Sequence, residues 1–462
     1  MRFLGYIDTT ETMGSQQVDF DPLVPKRLGT ISKKEPKKPK NLTLRESTNK
    51  VDYDPYLMPN SPNFMPEASE PTSSRDVGLI MQIFPSLLLG MIGCVLAGWL
   101  LDTVKTWEIF TRISKLFILV PTLLNLKGNL EMNLAARLST SANLGDLDVP
   151  KNRRQIILGN LAVLQMQAIS IGFIAGLFSI LLGYIARTSS NGISELMLLI
   201  TSSVVCASLS SLILGILMCG VIVLSRKFHI NPDNIATPLA AGLGDILTLS
   251  LLIFFGQVFM QYLHTPACTI VLCVALALLP LWTLMVYRNP FVSDLIYEGW
   301  PSIVMAMFVS SFAGVILERF IIPLNGLAML APVLNGVSGN IATVCASRYS
   351  TALHAAITEP HGHIFSSLFT VNLLLQWLFL SFLKSFGFDH GVISLTVFGI
   401  YTAAFCLLAT VLLLFARWMS WVLWVRERDP DNYIMPMITS IGDLLGTSLL
   451  VGGLVIAQKA TI

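Results

Sequence analysis

The chain reads as an all-α polytopic membrane protein of about eleven transmembrane helices, built as two parallel five-helix repeats related by a pseudo-two-fold axis normal to the membrane and joined by one extra helix. Three observations carry this reading. Of its 462 residues 53% are hydrophobic and only 13% charged, with a mean hydropathy of +0.68, far from the balance of a soluble domain. The charge is also concentrated: 22 of the 58 Asp, Glu, Lys and Arg residues fall in the first 76 positions, leaving 36 among the following 386. Finally, segments of the two halves match in order. A soluble enzyme, a basic nucleic-acid binder and a disordered scaffold are excluded by the same numbers.

Residues 1–76 form the first element, a polar tail. It has no apolar stretch before residue 77, so no cleavable signal peptide is expected and the tail stays cytosolic. Its composition predicts disorder, and the basic run that begins at Lys26 (KRLGTISKKEPKKPK) suits contact with anionic lipid as a secondary role.

About 20 apolar residues cross a bilayer core. Such segments lie near 80–101, 113–138, 156–185, 196–224 and 235–262, which form a first repeat within 77–265. A linking helix near 268–287 occupies 266–290, and spans near 300–322, 325–350, 364–384, 393–416 and 435–457 form a second repeat within 291–462. The short loops on the tail side carry eleven Lys and Arg residues, among them Lys151, Arg153, Arg154, Arg226 and Arg288, against five on the other side. That bias places the N-terminus inside and the C-terminus outside, with the plasma membrane as the first reading of location and a mitochondrial membrane as the second. All seven cysteines lie in or beside apolar segments with no CxxC pair, and read as small buried apolar residues. The six His residues are scattered and form no metal set; Gly172 and Gly176 read as a helix-packing pair.

The repeat is visible residue by residue. FPSLLLGMIGCVLAGWLLD in the first span matches WPSIVMAMFVSSFAGVILE in the seventh, setting Gly98 against Gly314 and Asp102 against Glu318. PTLLNLKGNLEMNLAARLST matches PVLNGVSGNIATVCASRYST, pairing Pro121, Gly128 and Asn129 with Pro332, Gly339 and Asn340. PDNIATPLAAGLGDILTLSLL matches PDNYIMPMITSIGDLLGTSLL, pairing Pro238 and Asp245 with Pro436 and Asp443. Five spans per half would leave the halves inverted, and the linking helix restores them to parallel. The chain is then a monomeric pseudo-dimer whose equivalent residues meet at an axis.

Chemistry follows from Asp245 and Asp443. A carboxylate deep in an apolar span costs a few kcal/mol or more unless compensated. Two brought together by the axis do not both stay ionised without a cation between them. Oxygen ligands at low count suit a hard cation such as Mg2+, which keeps several waters. Neutral oxygens beside them come from Thr237 and Thr439 on the same helices, and from Asn125, Asn129, Asn335 and Asn340 around the flexible Gly128 and Gly339. Pro238 and Pro436 are expected to free backbone carbonyls at membrane depth. Asp102 and Glu318, near the outer span ends, read equally as structural and as a second ion site. Lys127 and Glu131 read as a local ion pair, since the other half has Ala342 where Glu131 stands. No Cys or His is near the paired Asp in sequence, which argues against a soft-metal preference. Gly242-Leu243-Gly244-Asp245 spells the GxGD of intramembrane aspartyl proteases, but no Tyr-Asp on another span and no Pro-Ala-Leu accompany it, and an enzyme is not expected.

This combination of motifs, over residues 77–462, resembles the MgtE magnesium channel family and specifically its animal relatives, the solute carrier family 41 magnesium transporters. The resemblance implies a Mg2+ pathway between the halves, Na+-coupled Mg2+ efflux, pore acids at Asp245 and Asp443, and Gly-Asn segments at Gly128, Asn129, Gly339 and Asn340 beside them. A Mg2+ channel without Na+ coupling is the alternative, with a cation-sensing membrane scaffold behind it. Bacterial members carry an N domain and CBS domains that sense Mg2+. The tail here is short, so gating by such domains is not expected, as in the animal relatives.

Overall fold

The structure, a computed structural model, describes residues 72–143, 145–186, 192–227, 233–297, 300–354, 361–386, 394–426 and 433–460. The basic run of the tail lies outside them. Among the described residues every regular element is helical: α1 (Thr72–Val104), the short α2 (Glu108–Arg112), α3 (Leu116–Asn143), α4 (Pro150–Ile185), α5 (Ile193–Lys227), α6 (Asp233–Gln261), α7 (Ala267–Tyr287), α8 (Trp300–Phe320), α9 (Leu327–His354), α10 (His361–Phe386), α11 (Leu395–Val425) and α12 (Ile434–Ala460). Each helix other than α2 covers one span expected from the sequence. The first of them starts early, so residues 72–76 of the expected tail are helical.

Ten of these helices are long and apolar enough to cross a membrane. The exception, α3, carries Lys127, Glu131 and Arg137, so its place among the spans depends on partners that shield those charges. Helix starts are locally encoded. Pro150 opens α4, where its missing N–H is no loss, and the Ser394 hydroxyl caps α11 by accepting the Val397 N–H at 3.2 Å. Gly145 after α3 (φ 86°) and Gly326 before α9 (φ 85°) take left-handed turns that a side chain would oppose.

Helices in lipid gain little from burying apolar surface against one another, so close approach and interhelical hydrogen bonds decide the packing. The contacts occur twice. α1 lies along α6 as α8 lies along α12; α3 meets α6 as α9 meets α12; α4 meets α5 as α10 meets α11. Between halves, α1 crosses α9 and α8 crosses α3. A Cβ added at Gly98 would lie 2.7 Å from the Met329 carbonyl oxygen, and one at Gly314 would strike the carbonyl of Ile118. Ile118 and Met329 are themselves repeat equivalents, so one crossing is built on both sides of the pseudo-axis.

The linking helix α7 is peripheral. It rests on α4 and α5, where the Thr201 hydroxyl of α5 donates to the Cys268 carbonyl at 3.0 Å, and it exposes Ile270, Val274 and Leu281 outward. Gly172 and Gly176 let α4 approach α5 at Ala207 and Ile200, and Ser203 donates to the Gly172 carbonyl at 2.6 Å. The cysteines are free; most are buried, while Cys273 is exposed on α7.

Candidate cation site

A cavity of ≈ 110 Å³ lies where α1, α3 and α6 of the first half meet α9 and α12 of the second. Asp245 of α6 and Asp443 of α12 both line it. With them are Asn125, Gly128 and Asn129 from α3, Asn335, Gly339 and Asn340 from α9, and Thr439 from α12. These are the residues expected from the sequence apart from Thr237, whose backbone lies in α6 and whose side chain is outside the described set. Pro121 and Pro332, at equivalent positions inside α3 and α9, also line the cavity.

The two carboxylates have unequal surroundings. Asp443 accepts the Asn125 side-chain N–H at 2.9 Å from the other half, and the Ser310 hydroxyl of α8 at 3.2 Å. The chain continues from Asn125, whose side-chain oxygen accepts from Asn129 at 2.8 Å, while the Asn129 oxygen accepts from Thr439 at 3.3 Å. Asn335 donates to the Asp443 carbonyl at 3.3 Å and to the Thr447 hydroxyl at 3.0 Å. Asp245 instead faces the thiol of Cys94 on α1, which donates to its Oδ2 at 3.8 Å. Asn125 has Gly336 as its repeat equivalent, so no amide reaches Asp245 from α9 in the same way.

Gly128 and Gly339 face open space, since a Cβ at either would meet nothing within 4 Å. Glycine at these two positions leaves clearance beside the cavity. A cavity of ≈ 110 Å³ holds several waters, at roughly 10–15 Å³ of probe-occupied space each. Two carboxylates, amide and hydroxyl oxygens and room for water match what a hard divalent cation takes from a protein.

Lys127 and Glu131 form the expected ion pair, at 3.3 Å. The Lys127 ammonium also donates to the Gly244 carbonyl at 3.0 Å, which brings it beside Asp245. Asp102 and Glu318 are each occupied locally. Asp102 pairs with Lys105 at 2.7 Å, Glu318 faces Ser114 and Lys115, and α1 does not lie along α8.

Two sequence expectations change. Pro436 is the third residue of α12, where a helix has no N–H partner to lose, so it frees no carbonyl at depth. A thiol does stand beside the paired Asp, because Cys94 is distant in sequence and close in space. Cys94 and Ser310 are repeat equivalents, and each donates to the Asp of its own half. That shared position was readable in the matched first and seventh spans, where a small donor falls at the same place in both. Among the described residues no group of three or more His, Cys, Asp and Glu side chains is placed to hold a metal.

The family model of MgtE, described as a divalent cation transporter, matches residues 120–255 and 331–453, which run from α3 into α6 and from α9 into α12. Solute carrier family 41 member 2 of Mus musculus is 38% identical over 405 residues, covering 82% of this chain and 70% of that protein. The protein of the same name from Homo sapiens is 38% identical over 397 residues, covering 80% and 69%. Solute carrier family 41 member 3 of Rattus norvegicus is 39% identical over 394 residues, covering 80% and 85%. No solved structure matches. A family model matched once in each half, around the helices that line one shared cavity, and relatives alike over most of the chain place this protein in solute carrier family 41, a transporter of the MgtE divalent-cation class and not an enzyme.

Proposed function

We propose that this protein moves Mg2+ across its membrane in exchange for Na+, with Asp245 and Asp443 holding the cation in the cavity between the halves. The observation that carries the reading is the meeting of those two carboxylates, one from each half, in a single cavity with Asn125, Asn129, Asn335, Asn340 and Thr439. A cation between them offsets the cost of two carboxylates within apolar spans, and the remaining oxygens and waters complete its shell. The chain supplies both halves, so a monomer is sufficient. By the Lys and Arg bias of the loops its N-terminus lies in the cytosol and its C-terminus on the opposite side of the membrane, which we take to be the plasma membrane.

The test is Mg2+ flux into proteoliposomes under imposed Na+ gradients. Asp245→Asn with Asp443→Asn abolishes flux while the protein stays folded; undiminished flux in that variant overturns the site. Reversing the Na+ gradient reverses net Mg2+ movement in an exchanger. Flux indifferent to Na+ makes the protein a channel, and Mg2+ binding without flux makes it a sensor.

A further inference from the structure

The cavity is nearly symmetric in its helices and asymmetric in its charges. On α3 Lys127 is 2% exposed, and on the matching face of α9 the equivalents of Lys127 and Glu131 are Ser338 and Ala342. The first half thus contains a fixed cation beside its Asp, and the second has only the neutral donors Asn125 and Ser310 on Asp443.

The anchorage of that cation is poor for a buried charge. Lys127 gives a hydrogen bond to the Gly244 carbonyl at 3.0 Å, one residue from Asp245, and sits 3.3 Å from Glu131. Glu131 is fully buried, and among the described residues its one charge partner is Lys127, with neither carboxylate oxygen meeting a well-aligned donor. A buried pair held this loosely does little for stability, because the desolvation of both ions is not recovered without good hydrogen bonds. Asp245 lies within electrostatic reach of the ammonium, and a lysine has three donors on a flexible four-carbon stem.

We propose that Lys127 is a tethered counter-ion, which turns from Gly244 to the Asp245 carboxylate when the divalent cation leaves and returns when it binds. This rests on the reading that Asp245 and Asp443 hold the transported cation. With the cation present, two carboxylates balance two positive charges. With the cation gone, an ammonium shared between Glu131 and Asp245 lowers the uncompensated negative charge that the empty cavity must hold beside Asp443. An exchanger must change conformation between binding one cation and the next, and an internal cation lowers the cost of the empty form. The same ammonium competes with the divalent cation for Asp245, so it weakens binding as it speeds release.

The experiment measures Mg2+ binding by titration calorimetry on the full chain in nanodiscs, with Mg2+ as the only ligand, alongside flux in proteoliposomes. Lys127→Met with Glu131→Gln removes both charges at nearly constant volume, so neither member of the pair is left without the other. Its Mg2+ dissociation constant is expected to fall about tenfold while maximal flux also falls, since the competitor is gone and the empty form is costlier. In Lys127→Arg the planar guanidinium grips Asp245 in two places, and Mg2+ binding is expected to weaken about tenfold. A merely structural pair would weaken binding in both variants. Unchanged or weaker Mg2+ binding in the neutral double variant overturns the proposal, and if that variant does not fold, unchanged or tighter binding in Lys127→Arg does so. Absence of saturable Mg2+ binding in the unaltered protein is a different result, which overturns the cation site itself.

Discussion

Asn125 on α3 donates its side-chain N–H to the Asp443 carboxylate on α12, 2.9 Å across the boundary between the two halves. The bond links a residue of the first repeat to the acid of the second, and no equivalent bond runs the other way because Gly336 stands where Asn125 would be repeated. Leucine at 125 keeps the volume and removes the donor. A lost hydrogen bond to a charged group costs about 1.5–3 kcal/mol. Thermal melting of Asn125→Leu without Mg2+ is expected to show a destabilisation of that order, and saturating Mg2+ restores most of it as the cation takes the donor's place.

Gly128 of α3 and Gly339 of α9 both line the cavity and border empty space. Leucine at either position has somewhere to go, so folding is retained and the volume for a hydrated cation is lost. Gly128→Leu and Gly339→Leu each reduce Mg2+ flux by at least about tenfold, the equivalent of roughly 1.4 kcal/mol, with an unaltered elution profile and melting temperature. Equal flux in either variant would show that the cation does not pass this way.

Gly98 and Gly314 behave oppositely. A Cβ at either position meets backbone of the facing helix, which cannot rotate away. Gly98→Ala and Gly314→Ala force α1 from α9 and α8 from α3, and each is expected to destabilise by about 1–3 kcal/mol through overpacking. Similar losses at the two sites, read by thermal melting in detergent, test the pseudo-symmetry of the crossings.

Cys94 supplies the thiol of the cavity, against Asp245, and Ser310 supplies a hydroxyl at the matched place against Asp443. Thiolate ligands favour soft metals. Cys94→Ser is expected to lower sensitivity of Mg2+ flux to Cd2+ by about tenfold, and Ser310→Cys to raise it, since tenfold corresponds to a single ligand's contribution of roughly 1.4 kcal/mol. Dose–response curves for Cd2+ on the two variants and the parent protein decide this.

Much of the cavity lining was legible because duplication leaves a record along the chain. Asp245 and Asp443 stand out as acids in apolar spans, and their matched Pro and Gly neighbours mark them as one position used twice. The Gly-Asn segments are found the same way. Cys94 escaped notice because a cysteine in a run of Leu, Val and Gly carries no polar signature; only its neighbour Asp245, 151 residues away, makes it a donor. Lys127 was visible as a partner of Glu131 four residues on, but its reach to the Gly244 carbonyl is set by how α3 lies against α6.

The sequence by itself determined the spans, the repeat and the pair of acids that the repeat must bring near one axis, because apolar length and residue identity are properties of the chain. Tertiary structure decided which donors each acid receives. A side chain reaches only a few ångströms, so whether Asn125, Ser310, Cys94 or Lys127 meets a carboxylate depends on the close crossings at Gly98 and Gly314 and on a register that no single helix specifies. Two halves alike in sequence pattern thereby present two unlike aspartates to one cavity.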